Sequence, residues 1–210
     1  MIRRRTALSV SAAALLAAAP VLTACGQTPH PGAAAVVGKE RITVSELQSQ
    51  VKDVREAQRA AQGEQLAANS ARLSQDTLVR LIQYRIIEQA GADSGVSVTR
   101  RELQEQRARV ERANGGAAAV TGRFLALGIA PDQIDRALSV DLVRAKLDNK
   151  LGAARTNELL MRTSDALRVD VNPRYGTWDA KRGTATPARE PWLRAATPDV
   201  PGAPLGPSGA

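Results

Sequence analysis

Between Thr43 and Leu167 the apolar side chains recur at helical spacing, in rows cut short by glycines and capping residues. Leu47, Val51 and Val54, continued by Ala57 and Ala61, follow one another at i+4 and i+3 on a single face. Thr43 precedes this row with Glu46 three residues on, the spacing of a capping box, so a helix is expected from there to about Gln62. The next row, Leu78, Val79, Leu81, Ile82, Ile86 and Ile87, is apolar on more than one face. A helix of that kind has to be surrounded by other elements, and it is expected to run from a cap at Ser74 to about Ala90. Such rows need one another to be buried, which demands a packed helical domain.

The remaining rows are shorter. Gly91 to Gly95 reads as a break, and Thr99 with Glu102 forms a second capping box. The helix behind it, to about Ala113, has only Leu103 and Val110 among charged residues, so it covers a surface without filling a core. Asn114-Gly115-Gly116 ends it. Val120, Phe124 and Leu127 define a short helix that stops at Gly128. Pro131 suits the first turn of a helix carrying Ile134, Leu138 and Leu142 in one row and Val143, Leu147 and Leu151 in another. A last helix is expected over Thr156 to Leu167, with Leu159 and Leu160. At both ends the period changes to that of strands. Ala33 to Val37 with a turn at Gly38-Lys39-Glu40 reads as a strand or hairpin, and Leu167, Val169 and Val171 alternate with Arg168 and Asp170.

Composition removes most catalytic classes. The 210 residues include one Cys, one His and five aromatics. One Cys excludes a disulfide framework within the chain and a Cys-rich metal site. The only histidine, His30, lies in the polar stretch GQTPHPG, which leaves none for acid–base work in the folded part. Glu102 and Glu105 share a helix surface but stand among arginines, as surface ion pairs do. Gly115-Gly116 lacks the spacing of a phosphate loop. No catalytic residue, metal ligand or cofactor is expected, and no small-molecule substrate.

The formal charge of +8 comes from 29 basic residues, of which 24 are Arg, interleaved with 21 acidic ones. The first segment decides how to read it. Arg3, Arg4 and Arg5 precede an apolar run from Ala7 to Leu22, which ends at Leu22-Thr23-Ala24-Cys25. A basic start, an apolar centre short for a stable span, and small residues before Cys are the parts of a bacterial lipoprotein signal. Cleavage is expected between Ala24 and Cys25, with lipidation of the Cys25 thiol. Losing three arginines lowers the formal charge from +8 to +5. The chain is then expected on the extracytoplasmic face of a membrane, and nucleic acid is not an expected partner. Residues 1–24 form the signal, 25–32 a lipidated tether, 33–182 the helical domain, and 183–210 a Pro/Ala/Gly-rich, mostly disordered tail. Tyr175 and Trp178 are expected to staple the end of the domain to the helices, and Trp192 to offer a docking island in the tail.

Three segments carry a resemblance: AAAVVGKERITVSELQSQV (Ala33 to Val51), LVRLIQYRIIEQAGADSGVSVTRRELQ (Leu78 to Gln104) and LGIAPDQIDRALSVDLVRAKLDNKL (Leu127 to Leu151). Together they resemble the N-terminal chaperone domain of SurA and PrsA-type peptidyl-prolyl isomerases. VDVNPRYGTWD (Val169 to Asp179) looks like the segment that follows the isomerase module there. The resemblance implies a mainly α SurA N-like domain of five to six helices, with a small β element pairing the N- and C-terminal segments. In those proteins a parvulin domain usually precedes the closing segment. Here only Gly152 to Arg168 separate Leu151 from Val169, too few for a globular domain. Prolyl isomerase activity is therefore not expected.

The resemblance implies partners that are unfolded or exported polypeptides, held on apolar surface. The candidate surface is Leu103, Val110, Phe124, Leu125, Leu127 and Ile129. The alternative is an adaptor lipoprotein whose charged Thr99–Ala113 helix docks one folded envelope partner.

Overall fold

The computed structural model describes residues 32–62 and 70–186. The export signal with Ala24 and Cys25, the tether with His30, and Trp192 with the Pro-rich tail lie outside the described residues.

The order of elements is β1 (Ala33–Val37), β2 (Glu40–Thr43), α1 (Val44–Gln62), α2 (Ser70–Asp93), α3 (Arg100–Ala113), α4 (Ala117–Ala126), α5 (Ile134–Leu151), α6 (Ala153–Ala166), β3 (Asp170–Val171), β4 (Thr177–Asp179) and β5 (Thr184–Thr186). The mainly α class, the six helices and the small β element joining the two ends are as expected. β1 is the middle strand of an antiparallel sheet of order β2-β1-β3, with Ala35 opposite both Ile42 and Val171.

Small residues make that central strand possible. Ala33, Ala34, Ala35 and Val37 are all buried, and short side chains let α1 and α2 lie directly on the strand. The ladder is irregular between Ala33 and Ala35, which leaves Ala34 as the extra residue of a bulge. Asn172 covers it: its backbone N–H donates to the Ala34 carbonyl at 3.0 Å and its Nδ2 to the Ala33 carbonyl at 3.2 Å. The β1–β2 turn needs Gly38. Its φ of +62° favours glycine, and a Cβ there would lie 2.8 Å from Leu167 Cδ2. Gly38 N–H donates to the Leu167 carbonyl at 2.7 Å, so the hairpin caps the end of α6.

α2 is the central helix. Leu78, Leu81, Ile82, Ile86 and Ala90 are buried along it, against α1, α5, α6 and β1. Burying each Leu or Ile contributes about 1.5–3 kcal/mol, which far outweighs the helix propensity of this β-branched stretch. The helix is longer than its sequence signals imply. It starts at Ser70, so Ser74 lies within it and is not its cap, and it passes through Gly91 to Asp93. Gly91 is a contact residue: a Cβ there would stand 2.5 Å from Val143 Cγ1 of α5.

The two threonine caps are present where expected. Glu46 N–H donates to Thr43 Oγ1 at 3.0 Å. At α3 both halves of the box close, Glu102 N–H to Thr99 Oγ1 and Thr99 N–H to Glu102 Oε2. α3 buries no residue fully, as its thin apolar row implied. Glu105 pairs with Arg101 at 2.9 Å, while Glu102 meets Lys146 of α5 at 2.6 Å. Tyr175 and Trp178 pack half-buried on the main core, and Trp178 Nε1 donates to Ser164 Oγ at 3.0 Å. Gly183 lies in the turn of the β4–β5 hairpin, and β5 falls just after the expected boundary at 182.

Candidate functional site

α4 ends at Leu127, and the chain turns through Gly128, Ile129 and Ala130 into a 3-10 turn at Pro131–Gln133 before α5. The turn lies against α1 and α2 and leaves a shallow cleft with room for about one water molecule. Its apolar lining is Val54, Leu81, Ile129 and Ala130; its polar lining is Gln50, Thr77, Arg80, Tyr84 and Gln133. Gly128 shapes it. With φ at +71° it takes a left-handed conformation, and a Cβ would lie 3.0 Å from Leu73 Cδ1 and 3.5 Å from Arg80 Nη2.

The six apolar residues expected to form a surface are divided by the structure. Leu127 is 64% exposed and stands at the cleft's edge, where its carbonyl accepts from Arg80 Nη1 at 2.8 Å. Ile129 lines the cleft, half-buried. Phe124 is half-buried on α4. Leu125 is 4% exposed and belongs to the core, packed with Val54 and Ala130, so it is not part of a surface. α4 buries Val120 and Leu125 where the sequence pattern put Val120, Phe124 and Leu127 on one row. Leu103 and Val110 are half-buried on α3 and do not line the cleft.

The polar lining is not among the residues the sequence singles out. Thr77, Arg80, Leu81 and Tyr84 lie at i, i+3, i+4 and i+7 on one face of α2. That spacing is readable, but the apolar residues between them dominate the pattern. Burial pulls the Arg80 guanidinium below its ordinary value, against the opposing pull of Tyr84 and Asp76. Burial raises the Tyr84 phenol. Arg136, held by Glu88 at 3.2 Å, places its guanidinium carbon 5.5 Å from the centre of the Tyr84 ring. The Thr77 hydroxyl is buried with no hydrogen-bond partner.

Among the described residues no group of three or more His, Cys, Asp or Glu is placed to hold a metal ion. Among the same residues no helix is long and apolar enough to cross a membrane. The cleft offers hydrogen-bond donors beside apolar walls.

Comparison with known proteins agrees with the layout. A family model described as SurA-like N-terminal domain matches residues 1–117. No parvulin domain was found, and between Leu151 and Asp170 the described chain builds only α6. No curated protein matches the chain. The match spans more than half of the sequence and takes in the hairpin, α1, α2 and α3, the elements on which the rest of the fold is assembled; the chain belongs to the SurA-like N-terminal domain family.

Proposed function

We propose that this protein is a lipid-anchored, extracytoplasmic chaperone that binds unfolded or exported polypeptides and does not isomerise prolyl bonds. The observation that carries the reading is its membership of the SurA-like family, whose matched domain is the chaperone domain, without a parvulin domain. The exposed Leu127 beside a cleft with apolar walls supports it, because exported chains display apolar side chains before they fold. The sequence Leu22-Thr23-Ala24-Cys25 supports the anchor, and two acyl chains on Cys25 would hold the domain at the bilayer far more firmly than one. Residues 25–32 then act as the tether and the Pro-rich tail as a loose extension.

The test uses the full chain reconstituted in nanodiscs, with an aggregation-prone client diluted from denaturant. Slower light-scattering growth at stoichiometric protein, with no acceleration of a proline-limited refolding reaction, is the expected result. Absence of both binding and protection for several unrelated clients refutes it. The surface of α3, which buries no residue fully, favours a second reading as an adaptor for one folded envelope partner. Crosslinking from α3 in intact cells separates the two: many clients support the chaperone, one stoichiometric partner the adaptor.

A further inference from the structure

α3 is joined to α5 by exposed ion pairs and buries no residue fully. Arg107 pairs with Asp135 and Glu102 with Lys146, and the four side chains are between 34% and 55% exposed. Pairs this exposed are weak and are screened by salt. Their positions fix which faces meet. Asp135, Leu142 and Lys146 lie at i, i+7 and i+11 of α5, one row, so Leu142 faces α3 between the two pairs. Leu103, Arg107 and Val110 lie at i, i+4 and i+7 of α3, so Leu103 and Val110 share the face that carries Arg107 to α5. All three apolar residues of this seam are half-buried.

The two ends of α3 differ. Before it, Val96 and Val98 pack on Ala90, Val143 and Leu147, and Lys150 Nζ donates to the Ser94 carbonyl at 2.6 Å, so this loop is a pivot. After it, Gly115 and Gly116 take φ of +85° and +101°, and a Cβ at Gly116 would meet nothing within 4 Å. The joint to α4 is crossed by an exposed side-chain bond, Arg123 Nη1 to Asn114 Oδ1 at 2.8 Å. Lys146 is the latch: its Nζ holds the Ser97 carbonyl at 2.7 Å and Glu102 Oε1 at 2.6 Å, tying loop and first turn to α5. The capping box closes on the other carboxylate oxygen, Glu102 Oε2, and does not need the latch. We propose that α3 is a strap, latched to α5 by Lys146 and by Arg107–Asp135, that swings out as an intact helix. Opening uncovers Leu142 of α5 together with Leu103 and Val110 of the strap. The inference goes beyond the chaperone reading and does not depend on it.

The test is thiol labelling of the full chain in detergent micelles with an uncharged reagent, read site by site by peptide mapping so that Cys25 is distinguished. Leu142→Cys and Val110→Cys report the seam, and Ala145→Cys, exposed on α5 outside that row, is the control. From about 0.05 to about 1 M NaCl, labelling at both seam sites is expected to rise about fivefold while the control stays constant. Lys146→Gln is expected to produce most of that rise at low salt, and Lys146→Arg, which keeps the charge, little of it. Helical circular dichroism is expected to hold throughout, because the capping box is retained. Labelling of the seam that ignores both salt and Lys146→Gln overturns the proposal, as does an equal rise at the control. Loss of helical signal in step with labelling also overturns it, since α3 would then be melting in place. If Leu142→Cys does not fold, Val110→Cys with and without Lys146→Gln decides by the same signs. These rates decide the strap whatever the client-protection assay gives.

Discussion

Gly91 provides the sharpest test of how the helices are packed. An alanine Cβ at this position would lie 2.5 Å from Val143 Cγ1 and 3.3 Å from the Val96 carbonyl oxygen. Carbon atoms in contact normally stand about 3.5–4.0 Å apart, so the α2–α5 interface would have to open by roughly 1 Å. Val143 cannot easily move away. It is β-branched, with one strongly preferred rotamer in a helix, and it sits at 8% exposure against Ala90 and Leu147. The loop after α2 is fixed as well, because Val96 N–H donates to the Gly91 carbonyl at 2.8 Å. Overpacking of this kind costs about 1–3 kcal/mol. Opposing it is a helix-propensity gain of at most about 1 kcal/mol, reduced because Gly91 lies in the last turn. Gly91→Ala is therefore expected to lose about 1–2 kcal/mol, a midpoint lowered by roughly 2–8 °C for a domain of this size.

Urea unfolding followed by far-UV circular dichroism measures the loss, and an unchanged slope shows that the denatured state is not the cause. Val143→Ala alone costs about 1–3 kcal/mol by removing buried methyls and leaving a cavity. In the double variant the methyl introduced by Gly91→Ala occupies that cavity. The two costs should then fall short of their sum by about 1–2 kcal/mol, the coupling seen between residues in contact. Gly91→Ala as stable as the parent, or strict additivity, would refute the packing.

Four further outcomes are expected. Glu102, held down to about 2 chiefly by Lys146 and then by the Thr99 N–H and hydroxyl, binds its proton less readily in the folded chain than in the unfolded one. Its support for α3 is complete above the ordinary carboxylate value of ~4.3 and is lost as pH falls toward 2, so amide exchange in α3 should accelerate over that window before global unfolding. Thr99→Ala should produce the same local fraying at neutral pH, at a cost of about 1 kcal/mol, and unchanged α3 exchange would contradict the cap. Trp178→Phe removes the donor to Ser164 Oγ and should cost about 1–2 kcal/mol by calorimetry; a neutral result would show that the contact contributes nothing. Cys25→Ala should abolish incorporation of radiolabelled fatty acid, and persistent label would remove the basis for the anchor.

How far the fold can be read from the sequence depends on the kind of signal. Caps announce themselves within four residues: Thr99–Glu102 closes both bonds of the box, and Thr43–Glu46 forms the bond from the Glu46 N–H to Thr43 Oγ1. The rows on α2 and α5 are equally clear, because their large apolar residues recur at helical spacing among polar ones. Gly91 and Ser74 mislead because their local chemistry fits two roles. A glycine near a helix end can break the helix or admit a neighbour, and only the position of Val143 decides between them. Leu125 shows the same limit: α4 is short, and contact with α1 and α3 sets its rotation instead of its own period. Thr77 and Arg80 stay hidden because their roles depend on the 127–133 turn folding back over a helix some fifty residues earlier.

The fold closes without an isomerase domain between α6 and β3, where none was found. The closing strand β3 reaches β1 directly, since the Leu167 carbonyl at the end of α6 is capped by Gly38 and Asn172 fastens the bulge at Ala34. The sheet therefore closes over the link from α6 alone, and nothing in the core requires a domain inserted there. On the chaperone reading proposed above, such a protein acts on its clients through binding. With no reaction to drive release, it must let go thermally, which favours small, shallow contacts over a deep groove. A residence time of milliseconds to seconds at ordinary association rates corresponds to dissociation constants of about micromolar or weaker. The exposed Leu127 and the shallow cleft beside it are on the scale such an exchange needs.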